Sequence, residues 1–205
     1  MLLKIYADNP NYKDINRVAD ILNGGGVVIL PTDTLYAFAC SMSYKKSVET
    51  IARLKGFSLK KAKYSMLCSS LSQVSDYVRP LDRDTFQLLK RCLPGPYTFI
   101  MDASNDVPRN YVNPNKTIGV RVPANSICKA VIESVGNPLI ATSVRTLDEE
   151  RESEYVTDPE LIHELFGRQV DLVVDGGIGD AEPSTVMDCS GGQMELVRQG
   201  KGIIV

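Results

Sequence analysis

Tryptophan is absent from this 205-residue chain, and histidine occurs only once, at position 163. A single histidine leaves too few residues for a zinc site built on imidazoles or for a Ser-His-Asp triad. His163 lies among Leu161, Ile162 and Leu165, and we interpret it as a solvent-facing residue of a helix.

Long hydrophobic runs and CxxC pairs are absent as well. No stretch approaches the roughly eighteen apolar residues of a membrane span, and residues 1–6 are too short an apolar run for a signal peptide. The five cysteines mostly fall within apolar segments, as reduced core thiols do. With a formal net charge of -2, we expect a soluble, cytoplasmic protein that does not interact with membranes.

Internal repeats, low-complexity tracts and Pro/Ser linkers are also missing. Segments with strand character instead alternate with segments of helical periodicity along the whole chain, which predicts one α/β domain over residues 1–205. Some neighbouring strands are connected as hairpins, for example 184–188 and 195–198 across Gly191-Gly192. The sheet is therefore predicted to be mixed rather than wholly parallel.

Three segments of the chain have clear signals for the helices of this α/β domain. Residues 11–23 show a helical apolar period. A second helix is predicted from Asp82 to Cys92, with Phe86 on its apolar face. A third is predicted to begin with a capping box at 157–160 and to end at Gly167. The charged segment 148–154 is interpreted as a surface loop.

The first candidate site follows the apolar run Val27–Leu30, which predicts a strand covered on both faces. Pro31 ends the run, and Thr32, Asp33 and Thr34 follow it. Ligands bind at the ends of buried strands in open α/β sheets, so this polar cluster is a candidate site. The alternative is a capped turn without function.

The second candidate is the strand over residues 117–123. Its even positions are apolar, whereas Thr117, Gly119 and Arg121 share the other face. A hydroxyl, a bare backbone and a guanidinium suit close approach of an anionic ligand. Because an unpaired buried charge is costly, the alternative is an internal ion pair for Arg121.

These two segments are followed or separated by three further motifs, and the order of all five along the chain is informative. Between and after them come Pro94-Gly95-Pro96-Tyr97-Thr98, Ser184-Thr185-Val186, and Arg198 before Gly200. The ordered set resembles the YrdC/YciO family over most of the chain. The resemblance implies a single YrdC-like domain with a twisted mixed β-sheet, flanked by helices, and a large open cavity.

The resemblance also implies an activity. The best-known members of this family are threonylcarbamoyl-AMP synthases, which are nucleotidyltransferases that combine L-threonine, bicarbonate and ATP and release pyrophosphate. Mg²⁺ is expected on the nucleotide. Their product serves tRNA adenosine modification, and the family is associated with binding of double-stranded RNA. The reaction requires no side-chain nucleophile, so positioning and charge neutralisation are the expected work of the protein.

Site residues follow from the same resemblance. For the amino acid, it implies Thr34 beside Tyr36, Arg121 on the carboxylate, and Ser184.

For the nucleotide, it implies Thr117, Ser143 and Arg198, together with Lys55 as the first residue of a Lys-x-Arg phosphate motif. No protein metal site is implied.

The chain departs from the synthase pattern at several positions, as the YciO branch does. Phe57 stands at the second basic position of Lys-x-Arg, unless Lys60, Lys61 or Lys63 fills that position from the longer loop. The Ser-x-Asn motif reads Ser143-Val144-Arg145. Ala37 follows Tyr36 where glycine is usual, and Cys68 stands where a histidine is expected. Losing one charge-assisted contact from a triphosphate site costs about 1.5–3 kcal/mol.

The lysine-rich segment that follows Lys55 suggests a second possible function. Lys60, Lys61 and Lys63 are either solvated surface or a grip on phosphates. Together with Arg53 and Lys55 they would serve a non-catalytic protein that binds tRNA or double-stranded RNA. A role as a regulatory subunit for another tRNA-modifying enzyme leaves no mark in the sequence.

Overall fold

The computed structural model describes residues 1–56, 64–109, 111–144 and 154–204. Its strands are β1 Leu2–Lys4, β2 Val27–Leu30, β3 Ala37–Ser41, β4 Ser65–Leu67, β5 Tyr97–Asp102, β6 Thr117–Arg121, β7 Leu139–Ser143, β8 Leu172–Asp175, β9 Thr185–Asp188 and β10 Glu195–Arg198. Its helices are α1 Tyr12–Asn23, α2 Lys45–Leu54, α3 Leu71–Tyr77, α4 Arg83–Cys92, α5 Ser126–Val135, α6 Glu154–Thr157 and α7 Pro159–Phe166. Among these described helices, none is long and apolar enough to cross a membrane.

All ten strands join one sheet in the order β1-β8-β2-β3-β7-β4-β6-β5-β9-β10. The pairs β1 with β8, β8 with β2, β4 with β6 and β5 with β9 are parallel, and the others are antiparallel. The mixed α/β sheet expected from the sequence is confirmed.

Helices cover the two faces of this sheet unequally. Helices α1 and α5 pack on the first face, where their apolar side chains meet residues of β8, β2, β3, β7 and β4. Helices α2, α3, α4 and α7 pack on the second face, against residues that extend as far as β5, β6 and β9. The apolar side chains of β5, β6 and β9 thus belong to the second core.

On the first face, β4, β6, β5 and β9 consequently carry small, polar or half-buried side chains. Thr98 and Gly119 lie there, and Ser65, Ile100 and Val186 are only half-buried although their strands are in the body of the sheet. We call this surface the open face. It corresponds to the open cavity that the resemblance implies.

Most of the predicted helices are confirmed, with two corrections. In α4, Asp82 caps the helix as expected, but Phe86 is 39% exposed and Leu88 takes the buried position. The helix α7 is capped by Asp158, and Thr157 instead ends the short helix α6. The charged segment 148–154 lies almost wholly outside the described residues.

The thiols are placed in the core, as expected. Cys40, Cys68, Cys128 and Cys189 are buried and Cys92 is half-buried. Burial raises the pKa of Cys40 and of Cys68 to about 12, so both thiols are protonated at neutral pH and poor nucleophiles.

Candidate functional site

Arg121 is the charged centre of the candidate site. It ends β6 on the first face, and its Nη2 donates to Asp33 Oδ1 at 3.0 Å and to Thr34 Oγ1 at 2.9 Å. The side chains of Arg121 and Asp33 are only 11% and 8% exposed. The two candidate segments of the sequence therefore meet, and the alternative of an internal ion pair for Arg121 is what the structure contains.

The ion pair does not use the whole guanidinium. The Nε of Arg121 is buried and has no hydrogen-bond partner among the described residues. Burial lowers the pKa of Arg121, while Asp33 opposes this shift, and a guanidinium remains charged at any physiological pH. A buried N–H without a partner costs about 1–3 kcal/mol, which an oxyanion bound at this edge would recover.

The hydroxyl of Thr34 is fixed in orientation by its neighbours. Thr32 Oγ1 donates its only proton to the carbonyl of Leu35 at 2.7 Å. The 3.2 Å contact between the hydroxyls of Thr32 and Thr34 must therefore have Thr34 as donor. Thr34 Oγ1 also accepts from Arg121. It can therefore accept a further hydrogen bond from a ligand, but it has no proton left to donate. The local hydrogen bonds of a capped turn are present in the same segment.

Asp33 and Lys201 hold this turn in place. Asp33 Oδ2 accepts from the backbone N–H of Ala124 at 3.0 Å. The ammonium of Lys201 donates to the Asp33 carbonyl at 2.9 Å and pairs with Asp180 at 2.7 Å. Its hydrogen bond lowers the pKa of Asp180 below the ordinary value. Three distant segments thus converge on one turn, and the sequence offered no periodicity or motif that singled out Lys201.

Ser184 and Arg198 form a second cluster with Thr98. The Ser184 and Thr98 hydroxyls are 2.8 Å apart. Arg198 donates from Nη2 to the Ser184 carbonyl at 2.7 Å and to its hydroxyl at 3.4 Å. The predicted residues Ser184 and Arg198 are therefore neighbours, and Thr98 joins them.

A continuous surface connects this cluster with Arg121. A Cβ built on Gly119 would lie 3.1 Å from Ser65 Oγ and 3.3 Å from Thr98 Cγ2. Gly119 is two residues before Arg121 on the same strand face. Sequence reasoning missed Ser65 and used Thr98 only as part of a motif, because the evidence for both is their strand pairing.

The remaining residues that were predicted to contact the nucleotide lie towards the other end of the strands. Lys55 Nζ donates to the Ser143 carbonyl at 2.9 Å, so these two predicted residues are in contact. The hydroxyl of Thr117 accepts from Asn113 Nδ2 at 3.1 Å and is buried. Thr117 shares the strand face of Gly119 and Arg121, as its alternation predicts.

Tyr36 occupies a different environment from the other predicted residues. Its ring is fully buried in the second core. Its hydroxyl donates to the Gly177 carbonyl at 2.7 Å and accepts from the Gly176 N–H at 3.1 Å. Tyr36 thus connects the turn after β2 to the turn after β8, and its direct contact with a substrate stays a prediction.

Replacing Tyr36 with phenylalanine should lower the free energy of unfolding by about 1–3 kcal/mol, because the Gly177 carbonyl and the Gly176 N–H both lose their hydrogen bond to the tyrosine hydroxyl. Burial raises the pKa of Tyr36 from 10.0 to about 12. The stability contribution of its neutral hydroxyl is therefore complete below pH 10 and declines as the pH rises towards 12. Urea unfolding should show a wild-type advantage that is constant from pH 6 to 9 and shrinks above pH 10. A constant difference across that upper range would contradict this assignment.

The basic residues of the RNA hypothesis are only partly described. Arg53 is exposed in the last turn of α2 and donates to Thr50 Oγ1 at 3.4 Å. Lys60, Lys61 and Lys63 lie outside the described residues, as does Phe57.

The fold and this site define a class of protein: a YrdC-like domain with an open polar sheet face and a buried arginine at its edge. The family model for the Sua5/YciO/YrdC domain, described as "Telomere recombination", matches residues 20–200. The chain belongs to this family.

YciO of Escherichia coli strain K12 is 36% identical over 200 residues, which cover 97% of this chain and 94% of that protein. The crystal structure of E. coli YciO matches with a TM-score of 0.90 at 35% identity, over 100% of this chain and 97% of that one.

Threonylcarbamoyl-AMP synthase of Nitrosococcus oceani is 29% identical over 185 residues, 90% of this chain and 97% of that protein. The crystal structure of P. abyssi Sua5 complexed with L-threonine matches with a TM-score of 0.87 at 24% identity, over 98% of this chain and 57% of that one. At that identity the likeness shows the fold alone.

Proposed function

We propose that this protein is a nucleotidyltransferase of the threonylcarbamoyl-AMP type, which joins L-threonine, bicarbonate and ATP and serves tRNA adenosine modification. The observation that carries the proposal is the buried, unpartnered Nε of Arg121 beside the Thr34 hydroxyl. That edge of the guanidinium suits a carboxylate, and it lies beside an open polar sheet face.

The amino acid would bind between Arg121, Thr34 and Ser184. Its carboxylate would accept a charge-assisted hydrogen bond from the Nε–H of Arg121, because both N–H groups of Nη2 already donate to Asp33 and Thr34. Its amine would donate to Thr34 Oγ1, whose own proton is committed to Thr32. For the reaction the threonine ammonium would first lose one proton to solvent, which leaves a lone pair on nitrogen for attack on bicarbonate.

The nucleotide would lie across the open face. Gly119 leaves the backbone of β6 without a side chain between Ser65 and Thr98, and a base or ribose would approach the sheet there. Thr117 and Ser143 border this surface on one side and Arg198 on the other, and Lys55 contacts Ser143. The cations Lys55 and Arg198, at opposite sides of the open face, suit a ligand with an extended phosphate chain.

The proposed chemistry uses no protein nucleophile. The threonine nitrogen attacks the carbon of bicarbonate to give a carbamate, and water is released. A carbamate oxygen then attacks the α-phosphorus of ATP, and pyrophosphate leaves with the electrons of the broken P–O bond. Two anions are brought together, so charge neutralisation by Arg121 and Lys55 is the main contribution of the side chains.

Mg²⁺ would accompany the nucleotide. Among the residues that the structure describes, no three acidic, histidine or cysteine side chains gather as a ligand set. Mg²⁺ commonly binds substrate phosphates and retains several waters. We therefore propose that it enters on the phosphates of ATP, where it would offset their charge.

We propose slower turnover than in the synthases. The second basic position of Lys-x-Arg is Phe57, and the amide of Ser-x-Asn is replaced by Arg145. Each lost charge-assisted contact to phosphate weakens binding by roughly tenfold or more. Altered nucleotide preference is the other expected consequence of the same two changes.

Pyrophosphate release tests the proposal. Purified protein with ATP and Mg²⁺ should release pyrophosphate only when L-threonine and bicarbonate are both present. A boiled sample and a bona fide synthase would be run alongside. If the synthase is active while this protein gives no more than the boiled sample, over enzyme concentrations up to stoichiometric, the proposal fails.

Replacing Lys201 with methionine should weaken L-threonine binding several-fold, because the Asp33 carbonyl loses its only cationic contact among the described residues. The free energy of unfolding should change by less than about 1 kcal/mol, since the Lys201–Asp180 pair is substantially exposed. Calorimetric titration and urea unfolding would measure the two quantities. Lys46→Met, an exposed lysine on α2, is the matched control. Unchanged threonine affinity would show that Lys201 does not position the turn.

RNA binding is the alternative function, and the exposed guanidinium of Arg53 favours it. Binding dominated by phosphate contacts weakens steeply with salt. Affinity for double-stranded RNA should fall between 50 and about 200 mM salt, and Arg53→Met should reduce the slope. A flat salt response would exclude this mode.

A further inference from the structure

A cavity of about 520 Å³ lies outside the carboxyl ends of β4 and β6. Its wall is formed by Ser69–Leu71, shortly after β4, by Val122–Ser126, directly after β6, and by residues at the end of α4. The volume is within the range of about 300–1,000 Å³ that small-molecule sites occupy.

The connections of the two strands explain why this cavity exists. β4 and β6 are parallel neighbours. The helix after β4, α3, packs through Val74 into the second core. The helix after β6, α5, packs through Ile127 and Val131 into the first core. Adjacent parallel strands whose helices leave to opposite faces form a topological switch point, where a crevice opens that commonly binds ligands.

The charge of the lining selects the kind of ligand. Lys90 and Lys129 are among the described residues that line the cavity, and no acidic residue is. The closest carboxylate to Lys129 is Glu133 at 3.8 Å, in a pair that is more than half exposed and therefore weak. Two cations without a compensating acid in the wall favour an anion.

Two of the three serine hydroxyls in the wall are already used as donors, whereas Ser70 Oγ accepts from the Gln73 N–H at 3.2 Å. Ser126 Oγ donates to the Ala7 carbonyl at 2.6 Å, and Ser69 Oγ donates to Gln73 Oε1 at 3.4 Å. An anionic group would thus rely mainly on the two ammonium groups, with the Ser70 hydroxyl as a further donor. Most of the remaining wall is apolar: Leu71, Leu93, Pro94, Val122, Pro123 and Ala124.

This cavity is separate from the Arg121 site. Neither Arg121 nor Thr34 is among its described lining residues. Between the two places runs the segment Pro123-Ala124, whose backbone N–H at Ala124 donates to Asp33 Oδ2. The opposite side of that segment faces the cavity.

We propose that the switch-point cavity is a second ligand site, which binds a small organic anion with an apolar body. A carboxylate or a phosphate ester provides the anionic group, which Lys90 and Lys129 contact. The apolar body rests on the wall built from Leu71, Leu93 and Pro94.

Titration of three probes tests this site: hexanoate, phenyl phosphate and inorganic phosphate, each followed by ligand-observed NMR and calorimetry. At least one organic probe should saturate at roughly millimolar concentration, and inorganic phosphate should bind more weakly because it lacks an apolar body. Hexanoate and phenyl phosphate distinguish a carboxylate from a phosphate head. Absence of saturation by both organic probes, or equal affinity for inorganic phosphate, overturns the proposal.

Variants locate the bound probe. Lys90→Met and Lys129→Met should each weaken it by about tenfold, the effect of one charge-assisted contact. Leu71→Trp should abolish binding by filling the cavity, and Lys46→Met should leave affinity unchanged. The two lysines are exposed, so their variants keep the test valid if Leu71→Trp fails to fold. Loss in Arg121→Met, with no effect of either lysine variant, would assign the probe to the Arg121 site and contradict the inference.

Discussion

Replacing Arg121 with methionine should reduce L-threonine affinity by about 100-fold and destabilise the fold. The affinity loss follows from removing a charge-assisted hydrogen bond to the carboxylate, worth up to roughly 3 kcal/mol. The destabilisation follows because Asp33, with its side chain 8% exposed, is left as a buried charge without its cation, which costs about 3–5 kcal/mol. Calorimetric titration and urea unfolding separate the two effects.

The double variant Arg121→Met/Asp33→Asn is the decisive comparison. An asparagine keeps an oxygen that can accept from the Ala124 N–H but carries no charge, so most of the lost stability should return. Threonine affinity should stay low. Recovery of threonine binding in the double variant would show that Arg121 serves only to neutralise Asp33, and our assignment of the carboxylate site would be wrong.

Replacing Gly119 with valine should abolish nucleotide binding. A Cβ at this position already lies 3.1 Å from Ser65 Oγ and 3.3 Å from Thr98 Cγ2, and the two further methyl groups of valine would extend over the open face. In the wild type, ATP at 100 times its dissociation constant should stabilise the protein by about 2.7 kcal/mol. For a chain of this size that corresponds to a rise in Tm of roughly 5–10 °C, which should vanish in the variant.

The unliganded variant should have a lower Tm than the wild type, because the new side chain crowds Ser65 and Thr98, so the ATP-dependent rise is measured against the unliganded variant itself. Val186→Ala, on the same face but on β9, provides a control that removes bulk instead of adding it. It should retain the ATP-dependent rise in Tm. If Gly119→Val keeps that rise as well, the nucleotide does not lie on the open face.

Local patterns in the sequence were sufficient to predict the strands and the polar turn around the site. The alternation over 117–123 correctly assigned Gly119 and Arg121 to one face. The buried run Val27–Leu30 correctly placed a polar turn at a strand end. These patterns depend on two-residue periodicity and on turn residues, and both act within a few positions of the chain.

The features of the fold and site that could not be predicted from the sequence depend on residues that are distant in the chain. The strand β3, Ala37–Ser41, has no polar alternation because both of its faces are buried, and it was not predicted from the sequence. The partner of Arg121 is Asp33, 88 positions away. The polar residues Ser65 and Thr98 acquire their place only through pairing with β6. Such contacts are decided by tertiary structure rather than propensity.

The unequal covering of the sheet also has a dynamic consequence. β2 is buried at all four positions, whereas β10 is exposed at all four and is the terminal strand beyond β9. Backbone amides exchange with solvent according to the free energy of local opening. Deuterium should therefore enter β10 long before β2, and a nucleotide held by Arg198 should slow exchange at that margin first.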